Sequence, residues 1–361
     1  MIELKRGNIL EADVEALVNT VNCMGVMGRG IALQFKQAFP ENFRQYQRAC
    51  RVGEVRPGKM FVVQTGLMNP RFIINFPTKR HWKGKSRLTD IEAGLRDLVT
   101  EVKRLGLRTV AVPPLGCGSG GLNWQDVRPV IESALSTLPD VHVLLFEPAG
   151  APAPERMKVR TETPKMTRAR ALLLRLFESY RILGYRLSLL EIQKLAYFLQ
   201  AGGEPLRLNF IKHRFGPYAE ALNHVLERLE GHYIRGYGDR SRDAGIYLLR
   251  GASEEANATL AGDVGAAERL RRVTELIEGF ETPYGMELLA TVHWVAGENP
   301  EAARDSAIAI RGVRKWSGRK RQTFREQHIE KAWRRLLAKG WLAAQLESSP
   351  VGDRQPGLKE P

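Results

Sequence analysis

The sequence predicts an α/β domain, with a mostly parallel or mixed sheet and helices on both faces, followed by a mainly α-helical domain. Three observations carry this. Short β-rich runs alternate with amphipathic segments through the first 148 residues, the pattern of a sheet flanked by helices. The stretch FEPAGAPAPERMKVRTETPK (146–165) then holds four prolines and no periodicity, as a linker does. Beyond it helix periodicity dominates. At 361 residues the chain is long enough for about two domains, each with its own core. The boundaries expected are 1–150 for the first domain, 151–165 for the linker, 166–345 for the helical domain and 346–361 for a flexible tail.

In order along the chain, the apolar and β-branched runs 2–6, 16–21, 60–64, 72–76, 109–112 and 141–146 read as strands. Apolar residues at helical spacing mark 31–38, 41–50, 89–105 and 124–138, the last stopped by Pro139. After the linker the helical segments are 168–183, 188–201, 217–230, 263–279, 284–296 and 324–341, with 246–249 a strand candidate. Pro217 falls in the first turn of the third of these and Gly231 closes it. Tyr197, Phe198, Tyr218 and Leu222 fit a core rather than a ligand box.

Composition excludes several classes. Cys23, Cys50 and Cys117 form no C-x-x-C pair, so neither a disulfide framework nor a zinc site is expected, and no metal or other cofactor. The N-terminus lacks the apolar core of a signal peptide and no 18-residue apolar run occurs, which predicts a cytoplasmic protein with no membrane partner. The net charge is +15: residues 1–155 carry 20 Lys/Arg against 15 Asp/Glu, and 156–361 carry 35 against 25. Such a field attracts polyanions, nucleic acid foremost, although a solvated basic surface gives the same count. The segment 311–342 is strongly basic and then amphipathic; it suits nucleic acid, an acidic partner or plain solvation.

Two glycine-rich loops follow apolar strands and precede helices. The first holds Gly25, Gly28 and Gly30; the second, PPLGCGSGGL (113–122), holds Gly116, Gly118, Gly120 and Gly121. Loops of this kind let backbone N–H groups approach an anion, and a helix N-terminus behind them favours negative charge. Together they predict a crevice for a diphosphate. No G-x-x-x-x-G-K-[ST] occurs. The spacing 116/118/121 matches G-x-G-x-x-G only formally and late in the domain, so a dinucleotide dehydrogenase is not expected.

GNI (7–9), ALVNTVNCMGVMGRGIALQFKQAFP (16–40), FIINFPTK (72–79) and VAVPPLGCGSGGLNW (110–124) together resemble the macrodomain family over 1–148. The resemblance implies a three-layer α/β/α fold that binds ADP-ribose. Within it the chain is similar to the ADP-ribosyl glycohydrolases that use a lysine, and most to the DarG antitoxins, which remove ADP-ribose from thymidine in DNA. IQKLAYFLQ (192–200) and HRFGPYAEALN (213–223) are similar to the helical antitoxin domains that hold a partner, the DarT-like DNA ADP-ribosyltransferase toxin. The implied substrate is ADP-ribosylated single-stranded DNA.

Residue roles combine chemistry with that resemblance. Asn8, where the family often has an aspartate, can accept from the adenine amino group through its amide oxygen, with Ile9 beside it. Gly25, Val26, Gly28, Arg29 and Gly30 on one side, and Gly116, Cys117, Gly118, Ser119, Gly120, Gly121 and Leu122 on the other, are expected around the diphosphate and distal ribose. Asn22 positions that ribose by resemblance; a capping role for its amide is the alternative. Lys79, at a strand's carboxyl end, is the expected catalytic residue with Asn22. It can act as a cation near the anomeric carbon or, deprotonated, as base or nucleophile. Gly120 stands where the lysine-dependent protein glycohydrolases carry an acid, which argues for different proton handling. Arg80, His81, Trp82 and Lys83 mix cations with stacking rings, as single-stranded DNA sites do, and a thymidine in a duplex would need extrusion to reach a crevice. A non-hydrolytic ADP-ribose reader and a pure toxin-binding protein with an inactive macrodomain remain the alternatives.

Overall fold

A computed structural model describes residues 1–148, 157–180, 185–238 and 245–342. Its organising element is a six-stranded sheet built from β1 (Ile2–Lys5), β2 (Ala16–Asn22), β3 (Phe61–Gln64), β4 (Phe72–Lys79), β5 (Thr109–Val112) and β6 (His142–Phe146). The spatial order is β1-β6-β5-β2-β4-β3. Every pair is parallel except β3–β4. Between the strands run α1 (Gly30–Ala38), α2 (Pro40–Arg51), α3 (Leu88–Arg104) and α4 (Trp124–Leu135).

The alternation of side chains along each strand splits the core in two. Ala16 and Val18, Ile74 and Phe76, and Val110 and Val112 pack with Leu95 and Leu98 of α3 and Ile131 of α4. The intervening Leu17, Ile73 and Ala111 meet Phe35 and Ala38 of α1, and Val21 meets Tyr46 and Ala49 of α2. This is the three-layer α/β/α arrangement with a mixed sheet that the resemblance implies.

In the first 148 residues two boundaries differ from expectation by more than one residue. β4 continues past residue 76 through Pro77 to Lys79. The β3 pairing stops at Phe61 opposite Asn75, so the missing Pro77 N–H faces no strand on that side and costs no ladder bond. α4 ends at Leu135, not 138; the residue before Pro139 is barred from helical geometry, and Leu138 N–H instead closes a tight turn onto the Leu135 carbonyl.

The chain divides into two units, Met1–Pro164 with Glu227–Ala244, and Lys165–Leu226 with Gly245–Pro361. Residues 227–238, which the sequence groups with the helical domain, thus pack on the first unit. Lys36 Nζ pairs with Glu227 at 2.6 Å, Gln37 Nε2 donates to the Glu230 carbonyl at 2.7 Å, and Gly30 N–H donates to the Gly238 carbonyl at 2.8 Å. The described part of the expected linker, 157–164, is irregular chain that also lies on this unit, with Lys158 Nζ donating to the Leu10 carbonyl at 3.1 Å. Residues 151–156 and the expected tail 346–361 lie outside the described residues.

The rest of the chain carries α5 (Arg168–Ser179), α6 (Leu189–Ala201), the hairpin of β7 (Ile211–His213) and β8 (Gly216–Tyr218), α7 (Ala221–Leu229), α8 (Ala252–Leu260), α9 (Val264–Ile277), α10 (Pro283–Glu298), α11 (Pro300–Arg304), α12 (Ser306–Trp316), α13 (Gly318–Thr323) and α14 (Glu326–Ala338). α6 and α10 are buried almost all round, as central helices are. The helix expected from 217 begins only at Ala221. Gly216 takes a left-handed φ of 86°, and residues 216–218 pair with 211–213 instead. The polar α8 and the short α11 and α13 were not expected, because none sustains an apolar stripe over several turns; the amphipathic α12, with Ala309 and Val313 buried one turn apart, was missed. No helix among the described residues is long and apolar enough to cross a membrane.

Candidate active site at the carboxyl ends of the central strands

β2, β4 and β5 lie side by side and run parallel, so the loops that leave their carboxyl ends emerge on one edge of the sheet. That is where open α/β sheets bind ligands. The register sets the key juxtaposition: after an irregularity at Val21/Asn22, Asn22 is the direct partner of Lys79. Both are nearly buried, at 9% exposure each. Lys79 Nζ lies 3.5 Å from the Trp82 carbonyl, and the Lys79 carbonyl accepts from Cys23 Sγ at 3.3 Å.

Asn22 holds the first loop. Its Oδ1 accepts from Met24 N–H at 2.9 Å, and its Nδ2 donates to the Val26 carbonyl at 2.5 Å. The fully buried Tyr46 of α2 donates its hydroxyl to the Asn22 carbonyl at 2.6 Å. Gly25 and Gly30 have φ of 74° and 60°, which only glycine adopts cheaply. Arg29 precedes α1 with no side-chain cap and reaches the Tyr237 ring at 5.7 Å. Val26 is exposed and Gly28 half-buried.

The second loop folds back on itself, with Leu122 N–H donating to the Gly116 carbonyl and Gly121 N–H to the Gly118 carbonyl, both at 3.1 Å. Gly118, Ser119 and Gly121 are exposed, whereas Gly116 and Gly120 are buried. Ser86 packs beneath: its N–H donates to the Gly120 carbonyl at 3.0 Å, and its buried hydroxyl has no hydrogen-bond partner among the described residues. Burial pushes the thiols of Cys23 and Cys117 up to about 11, so both are protonated at neutral pH and unsuited to nucleophilic attack.

Other expected residues are placed less directly. Asn8 caps the short 3-10 turn Ile9–Glu11, its Oδ1 accepting from Leu10 N–H at 3.1 Å, and Ile9 is core. Asn8 also lines a cavity of about 440 Å³ with Arg6, Thr109 and His142. That cavity includes neither Asn22, Lys79 nor the second glycine loop, so it is distinct from the edge that carries them. Arg80 pairs with Asp90 at 2.9 Å. His81 stacks on Trp82 with ring centroids 5.6 Å apart, and Lys83 Nζ sits 4.7 Å from the Trp82 ring, which is 40% exposed.

Sequence reasoning missed Ser86, Tyr46 and a polar ladder inside the sheet. Asn19 and Asn75 are partners in adjacent strands, both fully buried. Asn19 Nδ2 donates to Asn75 Oδ1 at 3.0 Å, and Asn75 Nδ2 donates to Asn42 Oδ1 of α2 at 2.7 Å. Asn19 Nδ2 also approaches Met27 Sδ at 3.9 Å, which ties the first loop to the sheet. An asparagine within FIINF was the available signal, since a buried strand amide needs partners.

The profile of the macro domain family matches residues 18–131. Over 95% of this chain and 94% of the relative, the sequence is 50% identical to a DNA ADP-ribosyl glycohydrolase of Thermus aquaticus. The chain belongs to the DNA ADP-ribosyl glycohydrolase family. Among solved structures, the macrodomain of Mycobacterium tuberculosis DarG is 56% identical and covers 41% of this chain and 98% of its own, with a TM-score of 0.41. A fusion protein of Thermosipho africanus, named DNA ADP-ribosyl transferase–DNA ADP-ribosyl glycohydrolase, is 34% identical over 43% of this chain and 44% of its own length. In this DNA ADP-ribosyl glycohydrolase family member, Asn22, Lys79 and both glycine loops thus share one edge of the sheet.

Proposed function

We propose that the first unit hydrolyses the N-glycosidic bond between ADP-ribose and thymidine bases of single-stranded DNA. The observation that carries this is the Asn22–Lys79 pairing at the strand ends, flanked by the two glycine loops. Backbone N–H groups of the loops and the start of α1, which no side chain caps, hold the diphosphate. Asn22 orients the distal ribose with the amide hydrogen left over from its loop contacts. Lys79 stands at the anomeric carbon, as a cation or, deprotonated, as the attacking nitrogen. With glycine at 120, no acid partners the lysine from that loop, so the departing thymine takes its proton from water or substrate. His81, Trp82 and Lys83 hold the flanking strand by stacking and charge. The family membership supports the reaction class.

The test is turnover on a thymidine-ADP-ribosylated single-stranded oligonucleotide, with ADP-ribosylated glutamate protein in parallel. Release from DNA alone is expected. Lys79→Ala should abolish it while leaving the melting temperature and ADP-ribose binding near wild type. Undiminished turnover by that variant would remove Lys79 from its role, and binding without release by the wild type would leave a reader.

The same proposal extends to the partner. The helical unit binds a DarT-like DNA ADP-ribosyltransferase toxin in the cytoplasm and blocks it without catalysis. Its support is the Thermosipho relative, whose name joins the transferase and the glycohydrolase in one chain. The Lys79→Ala protein should then still co-purify with the co-expressed toxin; its failure to do so would end this reading.

A further inference from the structure

We infer that the helical unit carries its own binding surface for single-stranded nucleic acid, formed where the β7–β8 hairpin meets α12 and α13. The inference stands independently of the strand-end chemistry. Residues 311–325 contain seven Lys/Arg and no Asp/Glu. Several of these cations are already committed. Arg319 forks onto Glu287 at 2.6 and 3.0 Å, the fully buried Lys320 joins it at 2.8 Å, and Arg314 pairs with Glu326. Those pairs tie α13 to α10 and α12 to α14, and on the hairpin Lys212 pairs with Glu298 at 3.3 Å.

The remainder is arranged differently. Arg311 and Lys315 are exposed one turn apart on α12, and Arg321, also exposed, reaches back to 3.5 Å from the Arg314 carbonyl. None of the three makes an ion pair among the described residues. The hairpin is fastened beside them, with Trp316 Nε1 donating to the His213 carbonyl at 3.0 Å. Its tip is exposed throughout. Phe215, 37% exposed, has the Arg319 guanidinium 4.6 Å from its ring and that of Arg214 at 5.3 Å.

Free cations around a partly exposed ring suit a strand with unstacked bases: the cations neutralise phosphates, and the open part of the ring accepts a base. A duplex offers no base face to stack. An acidic protein would use the cations but gain little from Phe215. The observations therefore favour single-stranded nucleic acid.

The experiment measures fluorescence anisotropy of an unmodified, labelled thymidine 20-mer with the full chain at several salt concentrations, so that no ADP-ribose recognition contributes. The triple variant Arg214→Ala/Lys315→Ala/Arg321→Ala should flatten the slope of log K against log salt by about 2, at roughly 0.7 for each single-strand phosphate that is no longer neutralised. Phe215→Ala should weaken binding at least about fivefold, the loss of one stacked base. Both variants should release ADP-ribose from a modified trinucleotide as wild type does, which separates this surface from the strand-end site. Wild-type affinity and slope in the triple variant would overturn the inference. So would an unaffected Phe215→Ala protein whose oligonucleotide is displaced by polyglutamate as readily as by unlabelled DNA, the behaviour of a surface for acidic protein.

Discussion

A side chain at residue 120 has no room. A Cβ there would lie 2.2 Å from both the Gly116 carbonyl oxygen and Ser86 Oγ, and the backbone oxygen cannot yield. The acid that the resemblance implies at this position in lysine-dependent protein glycohydrolases has no room in this loop. Gly120→Asp should lose turnover and about 1–3 kcal/mol of stability, the cost of overpacking, read by thermal or denaturant unfolding. Gly118→Ala serves as the control, since a Cβ there meets nothing within 4 Å. An equally stable Gly120→Asp protein would refute the tight fit. Sequence alone marked Gly120 as a departure but could not supply the reason, because Ser86 comes from a different loop and only the folded sheet edge brings the two together. Lys79 was legible for the opposite reason: a lysine after FIINFPT can only leave at a strand end.

The elements of the helical unit are pinned by charges that periodicity does not reveal. Lys194 of α6, 1% exposed, donates to the Pro217 carbonyl at 2.5 Å. Lys320 of α13 reaches Glu287 at 2.8 Å and Thr291 at 2.9 Å, both on α10. Burial first, then the nearby charge of Lys320, lowers Lys194 to about 7, against about 10.4 for a lysine in the unfolded chain. Between those values the unfolded state binds the extra proton, so stability rises with pH, and the penalty is full below pH 7. Lys194→Met should remove up to about 1.4 kcal/mol per pH unit of that slope in denaturant titrations from pH 7.5 to 9.5. An unchanged slope would mean the group titrates normally. The same cluster explains a misread element: Pro217 looks like a helix opener in sequence, yet its carbonyl is the acceptor for a buried lysine and its neighbours form a hairpin. α6 and α10 were legible because their apolar faces are continuous; the salt-bridged α13 was not.

At the scale of the whole molecule, the first unit is discontinuous in sequence, and no compositional signal announces it. The proline-rich stretch suggests a clean break, but residues 227–238 return to cover α1. Their contribution can be isolated at Gln37, which is 4% exposed because its amide donates to the Glu230 carbonyl. In the full chain Gln37→Leu strands that buried carbonyl and should cost about 1–3 kcal/mol. In a fragment ending at residue 164 the returning segment and its Glu230 carbonyl are gone, so the same substitution strands no acceptor there and should be close to neutral. Comparing the two destabilisations by urea unfolding therefore measures whether the segment docks in solution. Equal costs in both contexts would show that Gln37 is buried by something other than residues 227–238, and that the first unit ends where the linker begins.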